Sequence, residues 1–305
     1  MSVDDFVVTK RKYKKTQGVG INYCGSTKKS RRSQCIVSSS FIMGKCHQIF
    51  KSLIYVSKKH IAERKFKTKT ELAVKIFSKF ENFILSKKSG IEKFIVLIDG
   101  GYTNSQIMKY IENSSLKGFI GRYSKGRKIF LENKEILLKE YISTLSIKDF
   151  EKINIDENEK FIHTIECKIT GSEKVKMILV IDDVSAPLLK DIRPLITNIF
   201  DLSSEEVVNY YSKRWTEETY HQIMKDGFGA RTHKLRTLKA FMRYIELIAV
   251  AYTFCEQRRI KLKMSGIFEV KNSLISIANQ NYILNMKGNK FKKPKQRKVL
   301  FRFAA

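Results

Sequence analysis

Acidic residues are scarce in this 305-residue chain, which has 30 Asp and Glu against 59 Lys and Arg and a formal net charge of +29 at pH 7. So large an excess of one sign opposes a compact state through self-repulsion unless a polyanion neutralises it. Nucleic acid is the simplest such partner, because each Lys or Arg placed on a phosphate releases a counterion. The alternative is a genome biased toward Lys, which would raise the charge without any binding role.

Patterns typical of zinc sites, secretion and membranes are also missing. An odd number of cysteines without a CxxC pair predicts reduced thiols rather than a zinc site. No secretory signal opens the chain, and no apolar run reaches the roughly 18 residues of a membrane span. Internal repeats, a Walker loop and heptad arrays are missing too. We therefore expect a cytoplasmic, nucleoid-associated protein whose apolar residues, 43% of the chain, suffice for a core.

One segment, YYSKRWTEETYHQIMK, carries charged side chains at helical spacing. A capping box at residues 203–206 predicts that a helix begins just upstream and runs on through it. At about 100° per residue, four side chains lie within an arc of roughly 60°: Tyr211, Arg214, Glu218 and Lys225. Beside them, an apolar flank predicted to dock the helix onto a core comprises Val208, Trp215 and Ile223. The ordinary explanation is a solvated helix face with an Arg–Glu pair; the alternative is a carboxylate among phosphate-binding groups.

The rest of the chain predicts a mixed α/β fold. Strands at residues 3–8, 20–24 and 34–43, joined by short turns, indicate an antiparallel start to a sheet. Residues 69–88 have helical periodicity, and residues 94–98 are apolar throughout, as in a strand buried on both faces. Asp99 follows that strand directly, at the carboxyl end where α/β sheets place chemistry.

The later residues divide into three regions. Residues 126–187 contain short alternating segments that predict a β-rich insertion, with Asp182 and Asp183 as turn residues. A strand at 195–200, the charged helix and a second helix at 238–258 should return the chain to the sheet. We expect residues 1–125 and 188–262 to form one split domain, and residues 263–305 to form an irregular basic tail.

The helical spacing Tyr-x-x-Arg-x-x-x-Glu-x-x-x-x-x-x-Lys is uninterrupted, and it resembles a branch of bacterial insertion-sequence transposases. These are DDE enzymes with an RNase H-like catalytic domain, so the resemblance implies an RNase H-like mixed sheet flanked by helices. The β-rich insertion would precede the last catalytic helix. The segment DGGYTNS also resembles the family's Asp-x-Gly-Tyr block, and VDDFVVTKRKYKKTQGVGINYCGSTKK resembles its first-Asp block. In that block Phe6 stands where the family has Thr.

The resemblance implies a catalytic triad of Asp4, Asp99 and Glu218, which would also hold two Mg²⁺ or Mn²⁺ ions. Successive strand residues face opposite ways, so only one of Asp4 and Asp5 can point into the site; the family pattern favours Asp4. We expect the three carboxylates to converge within roughly 8 Å, the span of two bridged metal ions. Residues implied in DNA binding are Tyr211, Arg214 and Lys225.

The implied function is metal-dependent DNA cleavage and strand transfer at insertion-sequence ends, on double-stranded transposon-end and target DNA, with a possible homodimer on the DNA. Two alternatives stay open: a non-catalytic DNA-binding remnant, and an RNase H-like nuclease without strand transfer. Only three residues precede Asp4, so we expect few ladder hydrogen bonds to hold it. We accordingly expect an N-terminally truncated protein that binds DNA but cleaves it poorly.

Overall fold

One mixed β-sheet organises the fold. The computed structural model describes residues 1–9, 16–86, 94–132, 134–155, 158–182 and 191–288. Within these ranges the sheet has twelve strands: β1 (Ser2–Thr9), β2 (Gly20–Cys24), β3 (Lys29–Met43), β4 (Cys46–Tyr55), β5 (Phe94–Ile98), β6 (Lys117–Arg122), β7 (Lys128–Leu131), β8 (Lys134–Leu137), β9 (Glu151–Ile155), β10 (Asn158–Ile169), β11 (Ser172–Ile181) and β12 (Arg193–Thr197).

Seven α-helices flank the sheet in the described part of the chain. They are α1 (Lys69–Ser86), α2 (Ser105–Asn113), α3 (Leu138–Ser143), α4 (Ser204–Ser212), α5 (Trp215–Gln222), α6 (Leu238–Leu262) and α7 (Ile267–Gly288). A single π-helical turn, Ile223–Gly227, continues α5 at its carboxyl end.

The strand order at one end of the sheet is that of an RNase H-like fold. β1 is antiparallel to β3, which also pairs with β4, and β1 is parallel to β5 on its other side. β5 is in turn parallel to β6. Parallel neighbours need a crossover, which α1 and α2 supply. The predicted RNase H-like mixed sheet flanked by helices is therefore confirmed.

Strand β1 is held more firmly than we expected. Each of its eight residues has a partner on β3, from Ser2 opposite Ser40 to Thr9 opposite Ser33. Its first two residues also pair with β5. The expectation of few ladder hydrogen bonds around Asp4 was wrong, because it counted the residues before Asp4 and overlooked the two strands that flank it.

Alternating residues of β1 contribute to cores on both faces of the sheet. On one face Val3 packs in a cluster with Phe77 of α1 and Ile107 of α2. On the other face Phe6 and Val8 pack in a cluster that contains buried residues of α5 and α6. The sheet is thus covered on both faces, and each face packs in a separate core cluster.

The strands that the structure describes within residues 126–187 belong to the same sheet. β11 pairs with β12, and β12 pairs with β6, so β7 to β11 continue the sheet beyond β6 without a break. The predicted returning strand at 195–200 is observed as β12, two residues earlier. The division of the chain at residues 125 and 188 stays a prediction.

The predicted irregular tail is wrong for its first part, which forms α7. Ile267, Val270 and Leu274 have helical spacing and pack in the cluster beneath α6, a periodicity that the abundance of Lys and Asn obscured. Phe268 packs directly on Gly227: a Cβ atom added at Gly227 would lie 2.6 Å from the ring of Phe268. The basic runs at 10–15 and beyond 288 lie outside the described residues.

Candidate active site

The two aspartates are brought together by neighbouring strands. In the parallel β1–β5 ladder Val3 lies opposite Ile98. Asp4 and Asp99 each follow one residue later, so their backbones leave the ladder side by side, at about the 4.8 Å spacing of adjacent strands. Behind Asp99 the chain turns sharply, since the amides of Tyr102 and Thr103 both donate to the Asp99 carbonyl at 2.9 Å.

The helix that carries Glu218 is not the single helix we predicted. α4 ends at Ser212, a tight turn follows at residues 213–214, and α5 starts at Trp215. The capping box at Ser203 and Glu206 is present at the start of α4. The break lies between Tyr211 and Glu218, so the uniform 100° stripe was wrong in its geometry.

The guanidinium of Arg214 links all three predicted carboxylates. Its Nη1 lies 3.6 Å from Asp4 Oδ2 and 4.0 Å from Asp99 Oδ1, and its Nη2 donates to Glu218 Oε1. Both aspartate oxygens therefore lie within about 8 Å of each other, a separation compatible with the two-metal geometry. One cation stands where three acidic side chains from β1, β5 and α5 meet.

Asp5 points away from this cluster, to the opposite face of the sheet. It accepts a hydrogen bond from Tyr102 Oη at 2.9 Å and forms an ion pair with Lys69 Nζ at 2.7 Å, and Cys35 Sγ approaches it at 3.4 Å. Asp5 thus ties the turn after Asp99 to β1 and α1. Of the two candidate aspartates, Asp4 is the one that faces Arg214 and Glu218.

The remaining predicted DNA-binding residues lie around the carboxylates. The ring of Tyr211 is 5.7 Å from the Arg214 guanidinium. Lys225 is in the π-helical turn, and its Nζ lies 5.8 Å from the ring of Phe6, which shares a face of β1 with Asp4. Burial, followed by repulsion from Arg231, lowers the pKa of Lys225.

The predicted apolar flank is only partly correct. Val208 and Ile223 are buried, as expected, but Trp215 is 67% exposed. Val208 of α4 packs in a different cluster from Ile223, which follows α5, so a single projection does not give the core side of both helices. Trp215 is exposed to solvent, whereas Glu217, two residues further on, is buried.

A family comparison covers the part of the chain that carries two of these carboxylates. The family model described as "Transposase DDE domain" matches residues 84–254, which include Asp99 and Glu218 and make up more than half of the chain. The chain belongs to the transposase DDE domain family. No curated protein matches it. Membership of the Tyr-Arg-Glu-Lys branch of these transposases stays a prediction.

The electrostatics of this site are set by burial and by Arg214. Burial raises the pKa of Asp4 to about 6; Asp99 adds to the rise and His221 opposes it. Burial lowers the pKa of the Arg214 guanidinium, but Tyr211, Asp99 and Glu218 outweigh it and raise that pKa overall. Three acidic side chains, Asp4, Asp99 and Glu218, therefore share one buried cation.

Glu217 is a residue of the site that sequence reasoning missed. It is fully buried, and its Oε1 accepts a hydrogen bond from Ser38 Oγ at 2.9 Å and is 3.2 Å from His221 Nε2. Its Oε2 accepts from Ser2 Oγ at 2.9 Å and from Ser40 Oγ. We call this set the Glu217 cluster: Ser2, Ser38, Ser40, Glu217 and His221. It attaches α5 to β1 and β3 directly beneath Glu218.

The three predicted carboxylates form a donor set that suits a hard divalent cation. Asp4, Asp99 and Glu218 offer only carboxylate oxygens, the ligands that Mg²⁺ and Mn²⁺ prefer. In the arrangement described, no three His, Cys, Asp or Glu side chains among residues 1–9, 16–86, 94–132, 134–155, 158–182 and 191–288 lie close enough together to hold an ion. Arg214 would have to leave the centre of the carboxylates for a metal ion to enter.

Among the described helices, none is both long and apolar enough to span a membrane.

Proposed function

We propose that the chain is a transposase that cleaves DNA at insertion-sequence ends and transfers the cut strand to target DNA. The observation that supports this most directly is the convergence of Asp4, Asp99 and Glu218 on the guanidinium of Arg214. These acids come from three separate elements, and a purely structural role would not require them to meet. Repulsion among three partly buried carboxylates is a cost that a metal-binding role explains.

Asp4, Asp99 and Glu218 would hold two Mg²⁺ or Mn²⁺ ions. When bound, such ions activate the attacking hydroxyl and stabilise the leaving oxygen of the phosphodiester. The Arg214 side chain is only 13% exposed and lies among the three carboxylates, where it would meet a DNA phosphate that approaches them. A phosphate is a strong bidentate partner for a guanidinium, so we infer that DNA draws Arg214 from the carboxylates.

Tyr211 and Lys225 would orient the DNA beside the carboxylates. Lys225 contributes a charge that its half-buried position shields from water, and Tyr211 packs against Arg214. Double-stranded transposon-end and target DNA are the proposed partners. We propose a homodimer on the DNA, since two ends must be joined, and association with the nucleoid through the net charge of +29.

The test is a strand-cleavage and joining assay with Mg²⁺ or Mn²⁺ on DNA that carries the flanking inverted repeats. Glu218→Gln should abolish cleavage and leave DNA binding nearly intact, because its carboxylate serves the metal. Arg214→Ala and Lys225→Ala should instead weaken binding and reduce its salt dependence by about one phosphate contact each.

Three outcomes separate the alternatives. Cleavage without joining would favour a nuclease, and binding without cleavage would favour a remnant. Equal loss of binding in all three variants would contradict separate roles for the carboxylate and the cations.

A further inference from the structure

The start of the chain is a long stretch without acidic residues. Residues 6–62 contain thirteen Lys and Arg and no Asp or Glu, so every one of their charges is positive. Among the described strands of this stretch, β2 pairs with the first part of β3, from Gly20 opposite Ser33 to Cys24 opposite Lys29. On β3, the pairing with β1 reaches only to Ser33 and the pairing with β4 only to Cys35, so neither strand lies beside residues 29–32. Among the described strands, residues 20–33 therefore project as a two-stranded basic ribbon.

The side chains of the basic ribbon are exposed in an unusual combination. Ile21 is 74% exposed and Tyr23 is 63% exposed. Four cations are exposed beside them, and none of the four pairs with a carboxylate in the part of the chain that the structure describes: Lys28, Lys29, Arg31 and Arg32. Exposed apolar residues rimmed by unpaired charges of one sign indicate a binding surface for a polyanion.

A second basic segment adjoins the base of the ribbon. Ser57 packs on Gly20: a Cβ atom added at Gly20 would lie 3.3 Å from Ser57 Oγ. The segment after Ser57 contains exposed cations: Lys58, Lys59, Arg64, Lys65 and Lys67. Of these, Lys58 is paired with Glu63 at 2.5 Å. The cationic surface thus widens from the ribbon onto the body of the protein.

The ribbon shares a strand with the active site. Ser38 of β3 lies opposite Asp4, and the pairing continues without a register shift from there to Arg32. Residues an even number apart face the same way, so Arg32 and its partner Ile21 lie on the face of Asp4. At about 3.4 Å per residue, Arg32 is roughly 20 Å and Lys29 roughly 30 Å from the level of Asp4.

We propose that the basic ribbon binds the phosphate backbone of duplex DNA about six to nine base pairs from the bond to be cleaved. That distance follows from the roughly 20–30 Å along β3 and the 3.4 Å rise per base pair, and it rests on the proposed function of the carboxylates. A two-stranded ribbon also fits the width of the major groove. A second copy of the chain is disfavoured as the occupant, because the net charge of +29 makes two copies repel each other.

The experiment compares two variants with the same charge change. The ribbon variant has Lys28→Ser, Lys29→Ser, Arg31→Ser and Arg32→Ser. The control has four exposed cations replaced elsewhere: Lys134→Ser, Lys139→Ser, Lys148→Ser and Lys261→Ser. Affinity for a 30-base-pair duplex is measured by fluorescence anisotropy without metal, between about 50 and 300 mM salt, with circular dichroism as the check of folding.

The ribbon variant should bind roughly tenfold more weakly at 0.1 M salt for each phosphate that its side chains no longer neutralise, and its log–log salt slope should fall by about two to four. The control slope should fall by less than one. Equal slopes in the two variants would overturn the proposal, as would weaker binding to anionic phosphatidylserine vesicles with unchanged binding to the duplex. If the ribbon variant unfolds, the pair Arg31→Gln and Arg32→Gln replaces it, with an expected decrease in slope of about one to two.

The binding assay needs no cleavage, so the proposed function and this inference fail separately. A chain that never cuts DNA, but whose ribbon variant has a reduced salt slope, refutes the first and keeps the second. Where the chain cuts, hydroxyl-radical protection six to nine base pairs from the cut should disappear in the ribbon variant. Disappearance of the protection at the cut itself instead would overturn the placement of the ribbon.

Discussion

Replacing Glu217 by Ala should lower the free energy of unfolding by about 3–5 kcal/mol, the cost of removing a buried carboxylate from its hydrogen-bond partners. The carboxylate is fully buried and has four partners on three elements. Without it, the three serines and His221 keep only each other, through the Ser2–Ser40 contact at 3.0 Å and the Ser38–His221 contact at 2.6 Å. Those two contacts should keep the destabilisation from exceeding this range.

The matched control is Glu173→Ala, which removes a glutamate that is 86% exposed and paired with Lys168. Such surface pairs contribute about 0–1 kcal/mol. Thermal unfolding followed by circular dichroism should show a midpoint roughly 5–15 °C lower for the Glu217 variant and nearly unchanged for the control. Equal midpoints would refute the reasoning that the Glu217 cluster anchors α5.

The pH dependence gives an independent check. Burial alone would raise the pKa of Glu217, but hydrogen bonds and charge from His221 and the bond from Ser40 outweigh it and lower the pKa to about 2. A depressed pKa stabilises the folded state above the unfolded pKa of 4.5, by about 3 kcal/mol for a shift of this size. That stabilisation disappears as the pH falls from 4.5 toward 2. Glu217→Gln should not show this acid-dependent decrease; an unchanged acid transition would contradict the assignment.

Three further predictions concern the active site. Asp4→Asn should stabilise the protein at pH 7 by up to about 3 kcal/mol and have no effect below about pH 4. The reason is that the pKa of Asp4 is raised from 3.8 to about 6, so its ionisation opposes folding as the pH rises. Urea titrations across about pH 4–8 measure the free energy of unfolding of both proteins; an advantage of the variant that shrinks as the pH rises would contradict this reasoning. Tyr102→Phe should cost about 1.5–3 kcal/mol by removing the hydrogen bond to Asp5, whereas Tyr23→Phe at the exposed ribbon should cost nothing measurable in the same titration. Arg214→Ala should lower the unfolding midpoint in EDTA by leaving three carboxylates without their cation, and Mg²⁺ should restore part of it; a variant indifferent to Mg²⁺ would argue against metal binding here.

The positions of Asp99 and the start of α4 could be predicted because each depends on a local pattern, whereas the choice of Asp4 over Asp5 came from the family resemblance. A run of five apolar residues marks β5, and the residue that follows such a strand lies at the edge of the sheet. The capping box marks the start of α4 within a few residues. Pairing of β1 with β5 then needs only the rule that such strands are neighbours in an RNase H-like sheet.

The Glu217 cluster could not be predicted because its members are far apart in sequence. The serines lie on β1 and β3, 177 to 215 residues before Glu217, and serine is common on exposed strands too. On the two sides of the turn at residues 213–214, α4 and α5 pack in different clusters, and in α5 Glu217 is buried whereas Trp215 is exposed. A uniform helical projection cannot anticipate such a turn, which also separates Tyr211 from the helix of Glu218.

The length of strand β3 would set the number of base pairs between the two places where the protein contacts DNA. It runs from Lys29 to Met43 and carries both the cations of the basic ribbon and the serine opposite Asp4. Because β3 is one continuous strand, the number of residues between the ribbon cations and Ser38 sets the distance between the ribbon and Asp4. Inserting two residues between Arg32 and Ser38 would lengthen it by about 7 Å, or two base pairs, whereas inserting one would turn the ribbon to the opposite face.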